Sequence, residues 1–107
     1  ERARIVTACR ASAEARLVVT HGTDTMVETA RAIAQAGGSV AAKTIVLTGA
    51  MVPYAFVSSD GLFNLGSALS FVQVLPAGVY LAMNGRCFNW DEVRKDRTRG
   101  VFETTGD

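Results

Sequence analysis

The sequence is poor in the features that settle function at a glance. It has two cysteines, Cys9 and Cys87, and one histidine, His21, in 107 residues. The cysteines are far apart in the chain, form no C-x-x-C pair and have no paired histidines nearby. Neither a disulfide framework nor a zinc site follows, and reduced thiols in a cytoplasmic protein are the default. Cys87 has no activating neighbour and reads as an inert thiol. Neither sign of charge dominates, with 11 Lys and Arg against 10 Asp and Glu. No basic stripe with interleaved aromatics exists, which argues against a nucleic-acid partner. No apolar run is long enough to span a bilayer, and no signal-peptide pattern is present. Repeats and low-complexity segments are absent too. What remains is a chain that is 49% apolar, enough for the core of one small domain.

The stretch around which this domain is organised is L-V-V-T-H-G-T-D-T-M-V-E-T-A, residues 17–30. An apolar β-branched run ends in small polar residues, and a helical pattern follows at once. This spells a buried parallel strand, a tight turn allowed by Gly22 and a helix N-terminus. In open α/β sheets ligands bind beyond the carboxyl ends of the strands. Thr25 and Glu28 fit a capping box, and Thr23 and Asp24 could satisfy other orphan amides. One cap is enough, however, which leaves Thr20, His21, Thr23 and Asp24 in excess of structural need. His21 reads as a hydrogen-bonded structural group rather than a base.

Around that stretch, residues 1–13 read as a helix with Ile5, Val6 and Cys9 recurring on one face. Residues 16–20 are a strand. Residues 25–36 are a helix burying Met26, Val27, Ala30, Ile33 and Ala34, stopped by Gly37-Gly38. A second strand, T-I-V-L-T at 44–48, exits through Gly49, Ala50 and Met51. A loop over 51–59 carries Pro53, Tyr54 and Phe56, whose rings either serve function or pack down. Ser58, Ser59 and Asp60 start a helix to about residue 74, with Leu62, Leu65, Leu69 and Val72 as its expected buried stripe. Asn64 is read as a structural group. Pro76 ends that helix, and 78–84 is a third strand. The charged tail that follows, ordered by Phe88 and Trp90, reads as one or two short strands or turns. Strands alternating with amphipathic helices build a parallel sheet with right-handed crossovers. The fold class is therefore α/β, a three-layer sandwich with a mainly parallel sheet. Three strands leave an exposed apolar edge. Together with the start at Glu1 inside a helical pattern, this points to an internal segment, or one whose beginning is missing, and to a sheet completed by further sequence, by a partner copy or by both.

T-H-G-T-D-T-M followed by E-T-A resembles the second signature of the bacterial-type asparaginase/glutaminase family. I-V-L-T-G-A-M-V-P-Y, S-S-D-G-L-F-N-L-G-S-A-L and G-V-Y-L-A-M-N-G-R-C-F-N-W-D-E-V-R-K resemble its next three pieces, in the same order and spacing. The resemblance covers roughly residues 16–103. It implies a Rossmann-like asparaginase N-terminal domain over 1–107, and hydrolysis of the side-chain amide of asparagine, and often glutamine, through an acyl-enzyme. It further implies a homodimer or homotetramer, with no cofactor and no metal. Residue by residue, it assigns Thr23, Asp24 and Lys95 to the second catalytic cluster. Gly22, Thr23, Asp24, Ala50 and Met51 become the substrate-binding set, with Asp24 on the substrate α-ammonium and Ala50 near the scissile amide. The chemistry is coherent. A threonine hydroxyl needs a base or cation beside it to attack, a lysine is a base only where burial or charge lowers its pKa, and the amide oxygen needs donors aimed at it.

The family's usual nucleophile, a threonine in a T-G-G-T motif, has no counterpart in the sequence. The resemblance places it before Glu1, and the 107 residues alone are expected to be inactive. A non-catalytic amino-acid-binding or assembly module with the same fold is the alternative. A Rossmann-type nucleotide binder is weaker still: Gly22 is not a G-x-G-x-x-G, and Asp24 would repel phosphate.

Overall fold

The computed structural model describes residues 1–52 and 59–105. The expectations for Pro53, Tyr54 and Phe56 fall outside them. Helices α1 (Arg2–Ala11), α2 (Met26–Ala36) and α3 (Gly61–Val74) alternate with strands β1 (Arg16–Thr20), β2 (Thr44–Thr48) and β3 (Gly78–Met83). Then follow β4 (Arg86–Asn89), β5 (Val93–Asp96) and β6 (Val101–Thr104). The main sheet has the order β1-β2-β3-β4. Its first three strands are parallel, with Val18 beside Val46 and Val46 beside Tyr80. β4 closes one side antiparallel to β3. β5 and β6 form a separate antiparallel pair.

Successive side chains of a strand face opposite ways, and the core divides accordingly. Ile45, Leu47, Leu81 and Met83 pack with Met26, Ala30 and Ile33 of α2, and with Phe88, Val93 and Phe102 from the tail. Val46, Tyr80 and Ala82 face Ala68 and Val72 of α3. All of β2 is buried, as an unbroken apolar run in a covered parallel sheet should be. β1 at the margin is only half-buried. The expected three-layer α/β sandwich is therefore present, with an antiparallel strand added to its parallel core.

Four local expectations need correction. No capping box forms: Thr25 sits at the N-cap of α2 without a side-chain bond to the helix. The buried stripe of α3 is Gly61, Asn64, Ala68 and Val72, whereas Leu62 is 73% exposed and Leu69 49%. Small residues let this helix approach the sheet closely, and Asn64 has partners only on that side. The third strand stops at Met83, because Asn84 and Gly85 take φ of +56° and +76°. Two consecutive positive φ values are what a two-residue hairpin turn requires. The tail contributes three strands rather than one or two.

Candidate active site

The carboxyl ends of β1 and β2 lie side by side, and His21 N–H still donates to Thr48 O at 2.8 Å. Beyond β1 the chain turns through Gly22, Thr23 and Asp24 into α2. The β5–β6 hairpin crosses to this turn from 71 residues further along the chain. Val93 and Phe102 are buried in the core below it, so Lys95, two residues beyond Val93, is set at the strand exit. Lys95 Nζ donates to Thr23 Oγ1 at 2.9 Å and to Asp24 Oδ1 at 2.6 Å. The lysine side chain is 12% exposed, the aspartate 76%. A sheltered ammonium thus holds one oxygen of an open carboxylate. The Lys95 hydrogen bond and charge hold the Asp24 carboxyl below its ordinary value of 3.8, and Arg97 adds to the effect. Arg97 Nη2 donates to Asp24 O at 2.9 Å, with Nε at 3.8 Å from Oδ1.

A hydrogen-bonded chain supports the turn from behind. The Gly22 carbonyl can only accept, so the 2.7 Å contact to His21 Nδ1 places the ring proton there. His21 Nε2 then accepts from Thr29 Oγ1 at 2.9 Å, and that hydroxyl in turn receives Arg2 Nε at 3.0 Å. His21 is a structural group, as expected. Thr29, buried in α2, was not singled out, although its place in E-T-A one helical turn from Thr25 is the signal that could have found it.

The exit of β2 is built differently. A Cβ on Gly49 would collide with the His21 carbonyl, so only glycine fits where the two exits touch. Asp60 accepts Met51 N–H at 3.1 Å and Val52 N–H at 3.0 Å. Burial pushes its carboxyl up, but the hydrogen bonds from Val52, Met51, its own amide and Asn64 outweigh this and leave it low. Asn64, fully buried, donates to Gly49 O at 2.8 Å and to Asp60 Oδ2 at 2.9 Å, and accepts Asn84 N–H at 3.0 Å. It ties the exits of β2 and β3 together, which bears out its structural reading.

The structure therefore brings Thr23, Asp24 and Lys95 together at one point, with Gly22 in the same turn. Ala50 and Met51 stand at the neighbouring exit, and the Met51 amide is already taken by Asp60. A recess of about 410 Å³ flanks the cluster, lined by Asp24, Glu28, Arg31, Trp90, Lys95 and Arg97 among others. Gly22, Thr23, Ala50 and Met51 do not line it. Among the described residues no group of His, Cys, Asp and Glu could hold a metal ion, and no helix is long and apolar enough to cross a membrane.

Fold and site together define an α/β domain in which a hydroxyl, a carboxylate and an ammonium converge beyond the ends of parallel strands. The family profile described as asparaginase, N-terminal, matches residues 2–104. The chain is 39% identical over 88 residues to the glutaminase-asparaginase of Acinetobacter glutaminasificans, which spans 79% of this chain and 25% of that protein. It is 34% identical over 84 residues to L-asparaginase 1 of Escherichia coli K12, 78% of this chain and 25% of that one. The probable cytoplasmic L-asparaginase of Campylobacter jejuni superposes with a TM-score of 0.83 at 32% identity, over 96% of this chain and 36% of the other. The chain belongs to the asparaginase family and matches its N-terminal domain. It spans about a quarter of the length of these curated relatives.

Proposed function

We propose that this chain carries the second catalytic cluster of an asparaginase-type amidohydrolase, which converts L-asparagine, with glutamine as the second candidate substrate, to the acid and ammonia. The observation that supports this is the 2.9 Å and 2.6 Å reach of Lys95 Nζ to Thr23 and Asp24. Thr23 Oγ1 accepts from the ammonium, so its own proton is free to point toward a ligand. Negative charge developing on that oxygen is met by a cation already in place. Asp24 Oδ2 has no partner among the described residues, on a side chain that is 76% exposed, and suits a substrate ammonium. The Ala50 backbone supplies contacts to the amide. The attacking threonine comes from sequence outside these 107 residues. The working protein is a cytoplasmic homo-oligomer, a setting in keeping with the relative named as a probable cytoplasmic L-asparaginase.

The test is ammonia release from asparagine by the intact protein and by the isolated segment. Turnover by the first and none by the second is the expected result. Turnover by the isolated segment refutes the placement of the nucleophile. Calorimetry with asparagine and aspartate, native against Asp24→Ala, covers the binding-module alternative: Asp24-dependent binding by an intact protein that releases no ammonia would establish it.

A further inference from the structure

Asp24 is shared by two cations, and the second, Arg97, stands outside the Thr23–Asp24–Lys95 cluster. Arg97 lies two residues beyond Lys95 on the same hairpin and lines the same recess as Lys95 and Asp24. Its Nη2 is fixed to Asp24 O at 2.9 Å, which parks the guanidinium with Nε 3.8 Å from the oxygen that Lys95 also holds. An exposed ion pair gains little when both side chains must be ordered for it. Here the backbone bond already orders one of them. The carboxylate thus faces a ligand with two positive charges against its one negative. A substrate ammonium entering there meets a carboxylate whose attraction is weakened, while a substrate without that ammonium avoids the like-charge contact.

We propose that Arg97 is a specificity-determining residue of this site: by sharing Asp24 with Lys95 it narrows the preference for amino-acid amides and admits monoamides of simple dicarboxylic acids that lack the α-ammonium. The inference rests on the amidase reading above and assigns its substrate class. It concerns selection only, since the same amide bond is cleaved by water in both substrates.

The experiment compares kcat/KM of the intact protein for L-asparagine and for succinamate, the same skeleton with hydrogen in place of the ammonium. Arg97→Gln is expected to raise the asparagine-to-succinamate ratio about threefold, the scale of one partly screened ion pair, chiefly through KM. The gain should shrink in about 0.5 M salt, where screening is short-ranged. Arg97→Lys keeps the charge and should keep the native ratio, which separates electrostatics from a loosened turn. Competitive inhibition by L-aspartate and by succinate gives a second reading of the same ratio, independent of turnover. An unchanged ratio in Arg97→Gln, or equal losses for both substrates, overturns the inference and leaves the amidase reading standing. Failure of the native protein to cleave either compound overturns both.

Discussion

Two neighbouring strand exits in this molecule are put to opposite uses. Beyond β1 the chain presents side chains: Thr23 and Asp24 stand at the surface, met by Lys95 and Arg97 from another element. Beyond β2 it presents backbone, with Asp60 and Asn64 occupying the polar groups of Gly49, Met51 and Val52. The topology gives both exits the same position at the sheet end. Local residues decide which one offers charged side chains to a ligand and which is fastened to the fold. An open site with exposed charges adds little to stability, whereas a fastened one has buried polar groups that cost free energy if unpaired. Activity and stability should therefore divide between the two exits.

The strongest test of that division is Lys95→Met. Removing the cation from the Thr23 oxygen should lower turnover by the intact protein about a thousandfold, or about 4 kcal/mol of barrier. The melting midpoint should move by no more than about 5 °C. A large fall in the midpoint would mean that the β1 exit is structural after all. Substitutions at the β2 exit should do the reverse. Gly49→Val drives a side chain against the His21 carbonyl and should cost about 3 kcal/mol. Asn64→Ala strands the Gly49 carbonyl and the Asn84 amide and should cost about 2 kcal/mol. Denaturant unfolding measures both, and stability equal to native at either position would break the contrast.

The smallest effect lies in titration. Asp24 has its carboxyl lowered from 3.8 by Lys95 and Arg97. A depressed folded value means that the unfolded chain binds the proton first. The contribution is then fully present above about pH 4 and fades as pH falls through the folded value. Carboxyl NMR should find Asp24 below 3.8 in the native protein, and Lys95→Met should move it upward. No movement would mean that the cluster is not electrostatically coupled in solution.

Much of this was legible in the sequence, and the reasons for the rest are physical. β1 and β2 have the bounds their apolar runs imply, because each run is short, β-branched and closed at both ends by polar or small residues. The stripe of α3 could not be found by counting leucines: the side that meets the sheet is chosen by the closeness that Gly61 and Ala68 permit and by the partners of Asn64. The capping box failed because Thr25 and Glu28 satisfy its pattern without its geometry. Lys95 lies in a charged run that periodicity alone treats as a solvated face. Only the resemblance to a family motif placed it 72 residues back along the chain, beside Thr23. Asp60 and Arg97 act through contacts that no local pattern encodes.

The β5–β6 pair shares no backbone ladder with the main sheet and is held by the buried side chains Val93 and Phe102. The chemistry thus straddles a seam between two separately knitted pieces. A scaffold jointed in this way can be re-equipped by grafting: a foreign hairpin that keeps its two apolar pegs could deliver a new head group to the Thr23–Asp24 turn without reweaving the layers beneath.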